Sequence, residues 1–180
     1  ASAVLCTATQ PALGPLFAEF LPGRPAVELC PPELCPPESF RRVCFRQAGR
    51  LDWDTLSGQL QQHEQVLCVV NSRKSAQEIF TRLSGEGNFH LSTLMYPAHR
   101  RAKLEEIRRR LKEGLPCRVI STSLIEAGVD VDFPAVFREK AGLDSLLQAA
   151  GRCNREGKRP VLESIVTLFR GEAAPPPLFQ

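Results

Sequence analysis

Apolar residues between positions 42 and 169 fall alternately into short continuous runs and into helically spaced sets. Val66–Val70 is a continuous apolar run of strand length, which is typical of a parallel strand covered on both faces, and Cys117–Thr122 is a second run of strand length. Between these runs, one set of apolar residues recurs at i, i+3, i+4 and i+7, the spacing of one helix face. Its members are Ala76, Ile79, Phe80 and Leu83.

The whole pattern predicts strands and helices in regular alternation. The predicted strands are Arg42–Arg46 (an edge strand), Val66–Val70, Phe89–Met95, Cys117–Thr122, Ala135–Phe137 and Val161–Phe169. The predicted helices are Trp53–Gln62 entered through Asp52, one after Asn71 and Ser72, one from Pro97 to Gly114, and Leu143–Ala150. This order predicts an α/β fold, a parallel sheet with helices on both faces. Ligands of such sheets bind beyond the carboxyl ends of strands, here after residues 70, 95, 122 and 137.

The first forty residues have a different character. Ser2–Thr7 is typical of a short buried strand, whereas eight of the fifteen prolines fall between Pro11 and Pro37. Proline lacks a backbone donor and fixes φ, so this stretch is expected to be an extended connection. We therefore expect a strand at 1–10, a proline-rich linker at 11–40, one domain at 41–171 and a tail at 172–180.

Composition narrows the class of protein without identifying it. A formal net charge of +3 over 180 residues is too weak to indicate a nucleic-acid partner by itself. Seven cysteines without a C-x-x-C pair argue against a disulfide framework, and Cys30, Cys35 and Cys44 lack a fourth zinc ligand at suitable spacing. No apolar run is long enough to span a bilayer, so a soluble cytoplasmic protein without a metal site of its own is expected.

The first candidate site is the loop from Ser121 to Asp130. The hydroxyls of Thr122 and Ser123 stand at a strand end and can donate to a phosphate. Gly128 permits backbone conformations that a side chain forbids, and Asp130 could accept from a ribose hydroxyl. An ordinary capped loop explains this stretch about equally well when it is considered alone.

The second candidate site runs from Gln148 to Gly157. Arg152 and Arg155, three residues apart beside a glycine, can direct two guanidinium groups at one polyphosphate. A solvated arginine-rich turn is the alternative. The sequence G-x-x-x-x-G-K-[ST] is absent, as is an Asp-Glu pair at a strand end for magnesium, so the arginines lack a visible phosphate site of their own.

A third arginine-rich stretch divides into two parts. Arg100 and Arg101 lie at a helix start beyond a strand end and are candidates for a nucleic-acid backbone contact. The cluster 108–110 follows Glu105 and Glu106 by four residues, so ion pairs on a solvated helix face explain it.

Several of these stretches resemble helicase motifs. Thr122 to Asp130 resembles motif V of superfamily 2 helicases, Gln148 to Arg155 resembles motif VI (Q-x-x-G-R-x-x-R), and Val66 to Ala76 resembles the motif IV region. Thr7-Ala8-Thr9 resembles motif III, which ends the first RecA-like lobe. More narrowly, residues 6–13, 96–100 and 148–157 are similar to the CRISPR-associated helicase–nuclease of type I systems.

This resemblance implies a RecA-like fold and ATP-driven movement on single-stranded DNA, coupled to cleavage by an HD nuclease domain. It further implies recruitment by an RNA-guided surveillance complex, and ATP with Mg as cofactor, the metal being held mainly by the first lobe. By position, Arg152 and Arg155 would be arginine fingers with Gln148 beside the nucleotide, and Gly128 and Asp130 would line the nucleotide side. The DNA contacts would come from Thr122, Ser123, Arg100 and Asn71, and lobe coupling from Thr7 and Thr9.

The chain departs from the family pattern, because the phosphate-binding loop, the magnesium motif, the HD nuclease and an accessory C-terminal domain are all missing. Together with the absence of an initiator methionine, this favours a second RecA-like lobe cut from a larger enzyme, inactive as an isolated chain. Two alternatives remain: a lobe of another superfamily 2 helicase acting on duplex DNA or RNA, and a non-catalytic nucleic-acid-binding subunit that completes a partner's ATP site in trans.

Overall fold

The computed structural model describes Glu33 and residues 41–125 and 129–172. The chain divides into two units, Ala1–Arg41 and Arg42–Gln180, and every element described below belongs to the second. The predicted strand Ser2–Thr7, the proline-rich linker and the end of the tail lie outside the described residues. So do three predicted site residues: Thr7, Thr9 and Gly128.

Strands and helices alternate through the described part of the chain. The strands are β1 (Cys44–Arg50), β2 (Gln65–Val69), β3 (Asn88–Leu91), β4 (Cys117–Ser121), β5 (Ala135–Glu139) and β6 (Ile165–Arg170). The α-helices are α1 (Trp53–Gln61), α2 (Arg73–Arg82), α3 (Pro97–Glu113) and α4 (Leu143–Ala150). Two short 3₁₀ helices, Ser123–Ile125 and Val161–Glu163, follow β4 and precede β6.

The six strands form one sheet in the order β1-β6-β5-β2-β4-β3, and every described pairing is parallel. Leu67 at the centre of β2 stands between Val119 of β4 and Val136 of β5. β1 lies at one edge, as its alternating pattern predicted. The predicted α/β class with a parallel sheet is therefore confirmed.

Two apolar cores cover the two faces of this sheet. On one face, Ile107 of α3 and the Ala149–Ala150 pair of α4 pack with Leu67 and Val119. On the other face, α1 and α2 contribute a second cluster around Val66 and Ile120 of the sheet. The helix residues of this second cluster are Trp53, Leu56, Leu60, Ala76 and Ile79. Neighbouring strand residues point to opposite faces, which is why the continuous apolar runs identified these strands correctly.

The helix ends follow the capping signals in the sequence. Asp52 accepts the Thr55 N–H at 2.7 Å and begins α1, and Ser72 accepts the Ser75 N–H at 3.0 Å and begins α2. Pro97 occupies the first turn of α3, and Gly114 ends that helix in the left-handed conformation with φ of 69°. These predicted starts and stops are confirmed.

The predicted edge strand Arg42–Arg46 is shifted in the structure, where β1 spans Cys44–Arg50. Two other strand predictions were too long, each for a local reason. β3 ends at Leu91 and not at Met95, because Ser92 begins a turn in which its carbonyl accepts the Met95 N–H at 3.1 Å. The predicted strand Val161–Phe169 begins only at Ile165, because Val161–Glu163 forms a 3₁₀ turn directly after Pro160. In both cases local hydrogen bonding of the backbone replaces a strand that the apolar pattern alone favoured.

Candidate functional site

The ends of β2, β4 and β3 place three polar segments side by side at the carboxyl edge of the sheet. Asn71 follows β2, Thr122 and Ser123 follow β4, and Ser92 follows β3. Adjacent strands lie about 4.8 Å apart, so these segments form one continuous edge. Thr122 is buried and Ser123 is exposed, so Ser123 presents the more accessible hydroxyl.

Asn71 is held by three hydrogen bonds. Its backbone N–H donates to Glu139 at 2.7 Å, its Nδ2 donates to the Lys140 carbonyl at 2.8 Å, and its Oδ1 accepts from Arg138 at 2.7 Å. Burial raises the pKa of Glu139 above its usual range, while the Asn71 N–H and Arg138 act in the opposite direction. Asn71 thus ties the end of β2 to the end of β5, a structural role that the sequence analysis missed.

The loop after α4 lies at the opposite side of the sheet, near the amino ends of the strands. The Phe133 N–H donates to the Arg152 carbonyl at 2.8 Å, and the Asn154 N–H donates to the Phe133 carbonyl at 3.0 Å. Since Phe133 precedes β5, this short parallel bridge places residues 152–154 near the amino end of that strand. The segment therefore lies away from the carboxyl ends after residues 70, 95, 122 and 137, where ligands were expected first, because α4 carries the chain back across the sheet.

Arg155 and Asp130, from the two predicted motif regions, form an ion pair. Arg155 Nε lies 2.8 Å from Asp130 Oδ1, with the side chains 43% and 81% exposed respectively. Within the described residues, Asp130 is the partner of the Arg155 guanidinium. An exposed pair of this kind contributes little to stability, about 0 to 1 kcal/mol, so the guanidinium can exchange its partner at small cost.

Arg152 is placed differently, since the residue is only 8% exposed. Its Nε donates to the carbonyl of Ile125 at 3.1 Å, across the gap between the two motif regions. Ile125 is the last residue of the 3₁₀ helix that follows β4. Arg152 therefore connects the loop after α4 to the segment after β4.

Two further residues organise this loop, and the sequence analysis gave neither a role. Asp132 accepts the Arg155 N–H at 2.7 Å and pairs with Arg159 at 2.9 Å. Asn154 is fully buried with φ of 47°, and its side chain binds the carbonyl of Arg42 and both backbone groups of Arg159. The positive φ is a conformation that Asn tolerates better than most residues, which is the one sequence signal that could have identified it.

The remaining predicted residues lie on helices. Gln148 is exposed on α4, and Arg100 lies in the first turn of α3 beside the Tyr96–His99 ring contact. Arg110 pairs with Glu106 at 2.7 Å, which confirms the predicted ion pairs on this helix face, although Arg109 pairs with Glu106 and Glu113 and not with the expected Glu105. Arg108 does not fit the prediction of ion pairs on a solvated helix face, because its Nε donates to the Asp130 carbonyl at 3.0 Å.

A groove of about 470 Å³ runs beside the Arg155–Asp130 pair. Seven of its nine lining residues are charged, whereas small-molecule pockets are mostly apolar. Most of these charges already pair with one another, so the groove adds no separate site. The lining residues are Arg108, Leu111, Lys112, Asp130, Val131, Asp132, Glu156, Lys158 and Arg159.

The thiols and carboxylates give no sign of further chemistry. Burial raises the pKa values of Cys117 and of Cys153 to about 12, which keeps both thiols protonated near neutral pH. Over residues 41–125 and 129–172, no group of three His, Cys, Asp or Glu side chains is placed to hold a metal ion. In the same part of the chain, none of the helices combines the length and the apolar character that crossing a membrane requires.

The sheet order and the flanking helices define a RecA-like α/β lobe of the kind found in helicases. A T. fusca Cas3 structure with ADP aligns with a TM-score of 0.62 at 18% identity, over 77% of this chain and 19% of that chain. The C-terminal domain of the DEAD-box protein Dbp5 aligns with a TM-score of 0.55 at 12% identity, over 73% of this chain and 78% of that one. At these identities the similarity establishes the fold.

Sequence comparison establishes the family. The model for the family described as CRISPR-associated nuclease/helicase Cas3, C-terminal, matches residues 62–158, more than half of the chain, and the chain belongs to this family. The CRISPR-associated nuclease/helicase Cas3 of Haloferax volcanii is 46% identical over 65 residues, 36% of this chain and 7% of the relative. That of Methanothermobacter thermautotrophicus is 31% identical over 91 residues, 50% of this chain and 11% of the relative. The chain thus spans about a tenth of the length of these curated relatives.

Proposed function

We propose that this chain is the second RecA-like lobe of an ATP-dependent translocase on single-stranded DNA, and that Arg155 is its arginine finger. The family match supports this choice over a lobe of an unrelated superfamily 2 helicase. The domain division, with a first-lobe strand at 1–10 and a linker at 11–40, belongs to the same proposal. An isolated chain without a phosphate-binding loop should not hydrolyse ATP, since an arginine finger stabilises a phosphate that another lobe must hold.

The Arg155–Asp130 pair is the observation that carries this proposal. A guanidinium that is 43% exposed and bound to an 81% exposed carboxylate can bind a more highly charged phosphate instead. Such a donor stabilises the charge that develops on a transferred phosphoryl group. ATP supplies that phosphoryl group, and magnesium accompanies it. The described residues offer no cluster of ligands for the magnesium ion.

The other nucleotide-side residues have supporting roles in this proposal. Arg152, whose Nε donates to the Ile125 carbonyl, holds the two motif regions in register beside Arg155. Asp130, once released from Arg155, is available to accept from a ribose hydroxyl. Gln148 on the exposed face of α4 contacts the nucleotide, and Gly128 lines the same side of the cleft.

The carboxyl edge of the sheet is the DNA side in this proposal. Ser123 and Thr122 contact the phosphates, and Arg100 extends the contact from α3 at the neighbouring strand end. Asn71 borders this edge but is already engaged with Arg138, Glu139 and Lys140. The first lobe (to which Thr7 and Thr9 couple), an HD nuclease domain and an RNA-guided surveillance complex are the proposed partners of the whole cytoplasmic protein, as type I CRISPR defence requires.

The test is nucleotide hydrolysis by the full-length enzyme that contains this chain. Arg155→Ala should reduce DNA-stimulated hydrolysis by about a thousandfold or more while leaving ATP binding largely intact. Arg109→Ala is the matched control, because Arg109 is similarly exposed and ion-paired but lies on the outer face of α3. Stimulation should come from single-stranded DNA and not from RNA; equal stimulation by both would refute the assignment of the nucleic-acid substrate. A subunit acting in trans would instead show hydrolysis only when mixed with a separate partner.

A further inference from the structure

The backbone of Arg155 is held on both sides, whereas its side chain reaches an exposed partner. Asp132 Oδ1 accepts the Arg155 N–H at 2.7 Å, and Arg42 donates to the Arg155 carbonyl. A fixed backbone and an exposed guanidinium allow Arg155 to change its partner by rotation of its side chain alone. Catalytic groups lose activity steeply when their position shifts by about 1 Å.

Asn154, the residue directly before Arg155, is held in place by the hydrogen bonds of its own side chain. Its Nδ2 donates to the carbonyls of Arg42 at 2.9 Å and Arg159 at 2.8 Å, and its Oδ1 accepts the Arg159 N–H at 3.0 Å. The side chain therefore uses both donors and one acceptor position inside the protein. Because the residue is 1% exposed, these bonds cannot be replaced by bulk water when the side chain is removed.

Asp132 links the same loop to the amino end of β5. It lies directly before Phe133, whose backbone bridges to Arg152 and Asn154. Its second oxygen, Oδ2, pairs with Arg159 at 2.9 Å, and its side chain is only 16% exposed. Asp130, two residues earlier, is the exposed carboxylate that holds the guanidinium. The two aspartates thus contact different parts of one arginine: Asp132 its backbone and Asp130 its side chain.

We propose that Asp132 and Asn154 are positioning residues for Arg155, which fix its backbone so that the guanidinium alone moves between Asp130 and the nucleotide phosphate. This inference rests on the proposed role of Arg155 in hydrolysis. Neither residue touches the nucleotide itself. Asp132 acts through the Arg155 N–H, and Asn154 acts through the backbone that leads into Arg155 and through Arg42, which donates to the Arg155 carbonyl.

The experiment measures ATP hydrolysis by the full-length enzyme, with kcat and the KM for ATP determined separately. Asp132→Ala should lower kcat by about tenfold or more and change the KM for ATP by less than about threefold, because a misplaced finger weakens the transition state more than binding. Asp132→Asn retains an oxygen that can accept the Arg155 N–H but loses the ion pair with Arg159, so its kcat should fall less than that of Asp132→Ala. Asp54→Ala is a control away from this loop, since Asp54 also pairs with an arginine, Arg82 at 2.8 Å, although it is far more exposed than Asp132.

A double-mutant comparison separates positioning from a general structural effect. If Asp132 acts through Arg155, adding Asp132→Ala to Arg155→Ala should not lower kcat any further. A purely structural residue would lower kcat by the same factor in either background. Full additivity of the two losses would therefore overturn the positioning role.

Asn154 supplies a second test if Asp132→Ala fails to fold. Asn154→Gly tolerates the positive φ but removes three hydrogen bonds, and it should lower kcat several-fold with the KM for ATP unchanged. If Arg155→Ala lowers kcat while Asn154→Gly and folded Asp132 variants do not, the positioning proposal is wrong and the proposed function stands. If Arg155→Ala leaves kcat unchanged, both are wrong.

Discussion

Arg155 Nε and Asp130 Oδ1 lie 2.8 Å apart, and this pair joins the segment after β4 to the loop after α4. The two residues are 25 positions apart in sequence, in regions that resemble two separate helicase motifs. Their contact brings the proposed nucleotide-side residues together at the amino end of β5. The same contact makes the proposed arginine finger releasable, because both side chains are substantially exposed.

Removing Asp130 should have little effect on folding. Since both partners are solvated, Asp130→Ala should change the free energy of unfolding by less than about 1 kcal/mol. Urea denaturation of the purified protein measures this change. Asp54→Ala, which breaks the exposed pair with Arg82, is expected to behave similarly. A loss well above that range for Asp130→Ala would mean that the carboxylate is a structural element of the loop and not a releasable partner.

Gly171 should be intolerant of any side chain. A Cβ at this position would lie 2.3 Å from the Trp53 ring and 2.8 Å from Glu139, and the Trp53 side chain is buried. Gly171→Ala should therefore destabilise the protein by about 1 to 3 kcal/mol. Gly58→Ala is the matched control: it lies on an exposed face of α1 with nothing within 4 Å, and should stabilise by about 0.5 to 1 kcal/mol. Chemical denaturation of the two variants should give changes of opposite sign.

Acidification should reduce stability through two half-buried histidines. Burial lowers the pKa of His63, with Arg46 and Arg118 adding to the effect, and burial lowers the pKa of His90. The unfolded chain then binds more protons than the folded protein as the pH falls through the ordinary value of 6.5, so stability decreases on acidification through that value. Denaturation curves for His63→Gln between about pH 7.5 and 5.5 should show a flatter pH dependence than those of the unaltered protein. An unchanged slope for His63→Gln would contradict this origin of the pH dependence.

Asn71 and Ser123 should differ although both border the proposed DNA side. Asn71→Ala removes the acceptor for Arg138 and the donor to the Lys140 carbonyl, so it should destabilise the protein by about 1 to 3 kcal/mol. Ser123→Ala, at an exposed position, should leave stability unchanged and weaken single-stranded DNA binding by the full-length enzyme. Fluorescence anisotropy with a labelled oligonucleotide, alongside thermal unfolding, measures both quantities. A stable Asn71→Ala variant with weakened DNA binding would instead make Asn71 a direct contact.

The sequence predicted the sheet and the helices well because their signals are local. The apolar run Val66–Val70 could be recognised as a strand buried on both faces. Asp52 and Ser72 marked helix starts through their side-chain caps, and Pro97 and Gly114 marked a helix start and a helix end through their backbone preferences. The errors came where a local turn competes with an extended run, as at Ser92 and after Pro160. Cys68 and Cys117 are buried in the core, since both lie on strands that are covered on both faces.

The contacts of the candidate site could not be predicted in the same way, because they join residues that are far apart in sequence and meet only in the folded sheet. Nothing near Asp132 in sequence indicates that it accepts the N–H of Arg155. Asn71 is a residue type that often caps helices, yet it bonds to the end of β5. The strand β5 lies beside β2 only because of the sheet order, which the local sequence does not indicate. For Arg152, the motif indicates a phosphate contact, whereas its burial and its bond to Ile125 depend on the packing of α4 against the sheet.

The central claim is that Arg155 leaves Asp130 for the nucleotide. A structure of the full-length enzyme with a non-hydrolysable ATP analogue, magnesium and single-stranded DNA tests it most directly. The predicted result is an Arg155 guanidinium nitrogen about 2.8 Å from a γ-phosphate oxygen, the distance of a charge-assisted hydrogen bond, with the contact to Asp130 broken. A γ-phosphate bound by other groups, with Arg155 still paired to Asp130, would contradict the account.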